Sequence, residues 1–222
     1  MYIDQIRQII QNAAAHEEKT GALANHLRQI LKESKNPVPE ESVKHAVLLV
    51  REYIEHVPVL LEQSTTFAAQ VGELENIAPL LENAAGYFLN PADYIPDHLG
   101  LYGLIDDAYL TSRLLERLSA IYRQTTGFAL ISADLSGPNR VVRIFLGKPL
   151  AARLDQEIEQ TVQQRIYQLA MQNLAAQQYN GSQSGRSWGG TFEDQSAQFF
   201  AENGVSYNVD TQYVDGDGVQ LY

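Results

Sequence analysis

The 222-residue sequence contains no cysteine, which removes disulfide frameworks, thiolate zinc sites and cysteine nucleophiles together. It also lacks any run approaching the roughly 18 to 20 apolar residues that a bilayer span requires, because Arg, Glu or Asp interrupts even the richest segments. Positive charge is scarce, with 16 Lys and Arg against 27 Asp and Glu and a formal net charge of -11. That balance argues against nucleic acid as a partner, since affinity for it comes largely from neutralising phosphates. No glycine-rich phosphate loop, nucleophile elbow or dinucleotide fingerprint is present, and His16, His26, His45 and His56 fall at no metal-ligand spacing. Nor does a charged-then-apolar leader open the chain, so the expectation is a cytoplasmic protein.

What is present is globular in character, with 45% hydrophobic and 19% charged residues. The charge is laid out unevenly. Between Arg51 and Arg113 there is no Lys or Arg, while Glu52, Glu55, Glu62, Glu73, Glu75, Glu82, Asp93, Asp97, Asp106 and Asp107 all fall there. From Arg113 to Arg165 basic residues outnumber acidic ones. Either the two segments pack against each other or face solvent, or the acidic one forms a surface for a cation or a basic partner.

Helical periodicity dominates the chain. Ile3, Ile6, Ile10 and Ala13 form one apolar stripe, and Leu23, Leu27, Ile30 and Leu31 another after Gly21. Pro37 and Pro39 end that run. A helix then starts near Glu40, its acidic first turn suited to a helix N-terminus, and buries Val43, Val47, Val50 and Ile54. His56-Val57-Pro58 is expected to interrupt it, with a new helix over Leu60 to Val71 and another after Gly72. Leu104, Ala108, Leu115, Leu118 and Tyr122 trace a long helix, and Leu150, Leu154, Ile158, Val162, Ile166 and Leu169 a second that fades near Gln177. Over residues 128–146 periodicity alone does not separate two short helices from a hairpin, and helices are favoured, with Asn139 as a cap. The fold class is therefore all-α: a multi-helix bundle over residues 1–178 with a flexible acidic tail over 179–222. In that tail, Trp188, Phe199 and Phe200 are the candidate interaction residues. Asp215-Gly216-Asp217-Gly218 has the opening of a calcium loop but no closing Glu.

Residues 86–110 break local rules most densely, with two prolines, three glycines and four aspartates between apolar helices. Asn90-Pro91-Ala92-Asp93 carries a helix-start signature, and Ile95-Pro96 stops that turn. Asp97 can cap the next turn, and Gly100 and Gly103 supply backbone freedom. Hard divalent cations take several oxygen ligands, so Asp93, Asp97, Asp106 and Asp107 are the candidate metal ligands of this corner. The alternative is structural, with Asp93 and Asp97 capping turns while Asp106 and Asp107 complement a helix dipole. Asp106 and Asp107 are not expected to face one ion together, because neighbours on a helix point about 100 degrees apart. His98 sits among these carboxylates as a candidate acid, base or ligand.

This stretch resembles the YkvA-like family, a bacterial domain of unknown function numbered 1232, whose motif runs Tyr-x-x-Ser-Pro-x-Asp-x-Ile-Pro-Asp, a short apolar turn, then Gly-x-x-Asp-Asp. Tyr87, Pro91, Asp93, Ile95, Pro96, Asp97, Gly103, Asp106 and Asp107 match it. Asn90 replaces the Ser, and the proline frequent in the family's turn is missing between His98 and Gly103. The resemblance implies a helical corner and no established activity. Family members often carry apolar flanking helices suggestive of membrane association, whereas Arg113, Glu116, Arg117 and Arg123 stud the helix here. The expectation is thus an interaction or regulatory module without catalysis or cofactor, and with an unidentified protein partner. The alternatives are a divalent-metal protein at the aspartate corner, with hydrolysis as the chemistry such a site would support, and a peripheral membrane protein.

Overall fold

The computed structural model describes residues 2–32, 39–90 and 94–181. Asp93, the start signature at 90–93 beyond Asn90, the linker at 33–38, and the tail with Trp188, Phe199, Phe200 and the Asp215-Gly216 stretch lie outside the described residues. The chain divides into two compact units, residues 1–164 and 165–222. The architecture and site below belong to the first.

Among the described residues the architecture is all-α, as the periodicity requires. The order is α1 (Ile3–Thr20), α2 (Ala22–Lys32), α3 (Glu40–Gln70), α4 (Leu74–Tyr87), a short 3-10 segment (Asp97–Tyr102), α5 (Ile105–Thr126), α6 (Ser136–Leu146) and α7 (Lys148–Gly181). Gly21 separates α1 from α2 in the left-handed region, at φ 62°, where its amide closes α1 on the Glu17 carbonyl. The Glu17 side chain turns inward and accepts the amides of Leu23 at 2.8 Å and Ala24 at 3.1 Å, satisfying donors that the start of α2 leaves open.

The expected break at Pro58 does not occur, and α3 runs unbroken from Glu40 to Gln70. A proline inside a helix costs about 3 kcal/mol. Against it stands a stripe that stays in register on both sides: Val50, Ile54, Val57, Leu61, Ser64 and Ala68 are all buried at alternating spacings of four and three. Burying one such aliphatic side chain is worth about 1.5–3 kcal/mol, so the continuous stripe outweighs the local penalty.

Residues 128–135 are irregular rather than helical, so only the second of the two short helices expected there forms. The Ser119 hydroxyl accepts the Ile131 amide at 3.2 Å, a bond that would otherwise go to a helical ladder. Asn139 is not a cap either. The helix starts three residues earlier, where the Asp134 carboxylate accepts the Ser136 amide at 3.0 Å, and Asn139 lies buried inside α6.

Packing centres on α5. Every residue from Gly103 to Ser112 is buried, which places the opening turns of α5 inside the bundle rather than on its surface. The helix packs against α3, α4 and α6, while α1 lies across the 3-10 segment.

Candidate functional site

The corner between α4 and α5 is built from backbone as much as from side chains. Gly103 approaches the chain it has just left: a Cβ there would sit 2.5 Å from the Pro96 carbonyl oxygen and 2.7 Å from Asp97 Cα. Only a residue without a side chain permits that return. Gly100 adopts φ 72°, and a Cβ on it would meet His16 Cδ2 at 2.8 Å and the Ala13 carbonyl at 3.2 Å. One glycine thus folds the corner on itself and the other seats it on α1.

Three of the four expected metal ligands are described, and they do not stand alike. Asp106 and Asp107 are fully buried in the first turn of α5. Asp106 Oδ2 accepts the Ile95 amide at 2.9 Å, so one carboxylate holds the loop that precedes it. Asp97 is half-buried and lines an open depression of about 360 Å³ with Ile9, Asn12, His16 and His98. Among the described residues, no group of three or more His, Asp or Glu side chains is placed to hold a metal ion. The depression carries two imidazoles and one carboxylate, groups able to exchange protons, in an open rather than enclosed setting. Behind it, His26 stacks on the Tyr102 ring at 4.3 Å between centroids and its Nε2 lies 2.8 Å from the Phe145 carbonyl, which links α2, the 3-10 segment and α6.

A second cluster joins α3, α5, α6 and the start of α7, and sequence reasoning missed it. Tyr53 donates to Asn139 Oδ1 at 2.6 Å, and Asn139 Nδ2 donates to Glu116 at 2.8 Å. Glu116 also pairs with Arg113. Asp155 accepts from Tyr109 at 2.7 Å and from Arg143 Nε at 2.9 Å. Burial pushes the Tyr53 and Tyr109 phenols well above their ordinary range. Burial alone would lower the Arg113 pKa, but Glu116, Tyr109 and Asp155 more than offset it and hold the guanidinium charged. The motif's Tyr87 joins the same side: burial, then the nearby Glu157 carboxylate, raises its phenol to about 12. The bonds from Tyr53 to Asn139, Tyr109 to Asp155 and Asn139 to Glu116 span 86, 46 and 23 residues, and no local spacing marks them.

The charge layout resolves accordingly. The basic segment pairs largely within itself, through Arg113 with Glu116, Arg143 with Asp155 and Arg117 with Glu159. In the acidic segment Glu62 pairs with Arg7 at 2.7 Å and Glu55 with Arg51 at 2.8 Å, while Glu52, Glu75 and Glu82 face solvent.

Fold and corner together define a class: among the described residues, an all-helical protein whose central helix is fastened to the preceding turn by the buried Asp106 and Gly103. Residues 83–112 match the family model described as a protein of unknown function (DUF1232). The match falls on the stretch from Tyr87 to Asp107 that carries the resemblance to the YkvA-like family and bears that resemblance out. No curated protein and no solved structure matches the chain. No helix among the described residues is long and apolar enough to cross a membrane.

Proposed function

We propose that this chain is an interaction module without catalysis, and that it receives a basic partner on the outer face of α3. The observation that carries the reading is the character of that face. Leu48 is 53% exposed, Leu49 37% and Val59 36%, and they stand among the exposed carboxylates of Glu52, Glu55 and Glu62. Arg51 holds Glu55 and Arg7 holds Glu62, and the carboxylates of Glu52, Glu55 and Glu62 still outnumber the α3 cations Lys44 and Arg51, so the exposed aliphatic side chains stand on a face of net negative charge, which suits a basic partner. The aspartate corner, by contrast, spends its groups on architecture, with Asp106 bonded to the Ile95 amide and Gly103 folded onto Pro96.

A labelled Lys/Leu amphipathic peptide, titrated in a fluorescence anisotropy assay, tests this. Saturable binding should be lost in Leu48→Asp/Val59→Asp, although that variant is more acidic than the parent. Non-specific attraction would instead strengthen in it, and that result, or no binding at all, overturns the reading. The competing proposal, a divalent cation at Asp93, Asp97, Asp106 and Asp107, is tested by thermal unfolding across magnesium, calcium, manganese and zinc. It requires an ion-specific rise in midpoint that disappears in Asp97→Asn.

A further inference from the structure

We propose that the basic partner of the α3 face is a second copy of this chain, which presents the outer surface of α6 and the opening of α7. The inference rests on the reading of α3 given above. Residues 135–154 contain Arg140, Arg143, Lys148 and Arg153 and no acidic residue, in a chain of net charge -11. Arg143 reaches inward to Asp155, and the Arg153 guanidinium lies 5.1 Å over the Tyr94 ring. Arg140 and Lys148 are the exposed cations that remain on either side of Ile144, which is 60% exposed.

The two surfaces match in spacing as well as in the sign of their net charge. On α3, Leu48 lies one turn before Glu52 and Val59 one turn after Glu55. On α6, Ile144 lies one turn after Arg140. Both separations are four residues, about 6 Å along a helix. Glu55 is held by Arg51 at 2.8 Å, so Arg140 is set on Glu52, which brings Ile144 onto Leu48 in an antiparallel crossing. Each copy carries both faces, so the contact can be made twice and close a dimer. The shared negative charge does not forbid this, because the screening length at physiological ionic strength is about 8 Å and leaves only contact-range pairs unscreened.

The test is molar mass by size-exclusion chromatography with light scattering, across protein concentration and at physiological and high salt. The wild type should gain mass with concentration and lose it at high salt. Arg140→Glu/Lys148→Glu and Glu52→Lys/Glu55→Lys should each remain monomeric, with helicity retained because all four side chains are exposed. An equimolar mixture of the two variants should regain the mass of the wild-type assembly, since each reversed face then meets a complement. A wild type monomeric at every concentration overturns the inference, as does association that survives either charge reversal or a mixture that stays monomeric. If the wild type is monomeric while the Lys/Leu peptide still binds the α3 face, the inference falls and the proposed function stands. Absence of both removes the two together.

Discussion

The buried carboxylate of Asp106, in the first turn of α5, accepts the amide of Ile95 at 2.9 Å, eleven residues before it. A carboxylate oxygen taken out of water at a helix N-terminus is compensated both by this bond and by the partial positive charge of the helix end. Within the stretch that matches the family model, the second acidic element thereby holds the first apolar one, and here the motif is a clasp between the corner and the central helix.

Removing the clasp has a defined cost. Asp106→Ala leaves the Ile95 amide buried without this acceptor, and the expected loss of stability is about 1–3 kcal/mol. Asp106→Asn retains a carbonyl oxygen and should lose less. Urea unfolding of the two variants against wild type measures the difference, and equal losses would show that the charge, not the bond, is what the site requires.

The three glycines of the corner region should respond differently to the same substitution. Gly103→Ala drives a methyl into the Pro96 and Asp97 backbone and should prevent the native corner. Gly100→Ala adds strain at φ 72° to a clash with His16 and should cost about 1–3 kcal/mol, the range for overpacking. Gly86, within α4, has nothing within 4 Å of its would-be Cβ, and Gly86→Ala should stabilise by about 0.4–1 kcal/mol. Thermal midpoints should therefore rank Gly86→Ala above wild type, then Gly100→Ala, then Gly103→Ala.

Alkaline stability should report on the buried phenols. Tyr87 has its pKa raised from 10.0 to about 12, chiefly by burial, so above pH 10.0 the unfolded chain releases a proton that the folded chain retains. Linkage then makes stability independent of this group below pH 10.0 and decreasing as pH rises from there through about 12. Tyr53 and Tyr109 act in the same direction. Denaturant midpoints across this window should fall in wild type and fall less steeply in Tyr87→Phe, and an unchanged slope would refute the assignment.

Much of the scaffold was legible in the sequence. Ile3, Ile6, Ile10 and Ala13 mark the buried side of α1, and all four are buried. Gly21 and Gly72 mark helix ends, and both have positive φ. The Tyr87 to Asp107 motif located the corner. Legibility failed where a distant partner overrode a local rule. Pro58 is a breaker by its own chemistry, yet the stripe from Val50 to Ala68 carries α3 through it. Asn139 is a cap by residue type, yet its amide is engaged by Glu116 and Tyr53, 23 and 86 residues away.

By itself the sequence determined the helical class, the excess of negative charge, the apolar faces of α1 and α7, and the position of the family motif. Each depends on composition or on spacings of three and four residues, which is the range over which a helix repeats. Only the tertiary structure decided that α3 is continuous, that Asp106 and Asp107 are interior, that Glu17 closes α2, and that Tyr53, Glu116 and Asn139 form one network. Those outcomes depend on which helices become neighbours. Such contacts cost backbone entropy to form and are selected by the total packing of the bundle, so no short window of residues contains them.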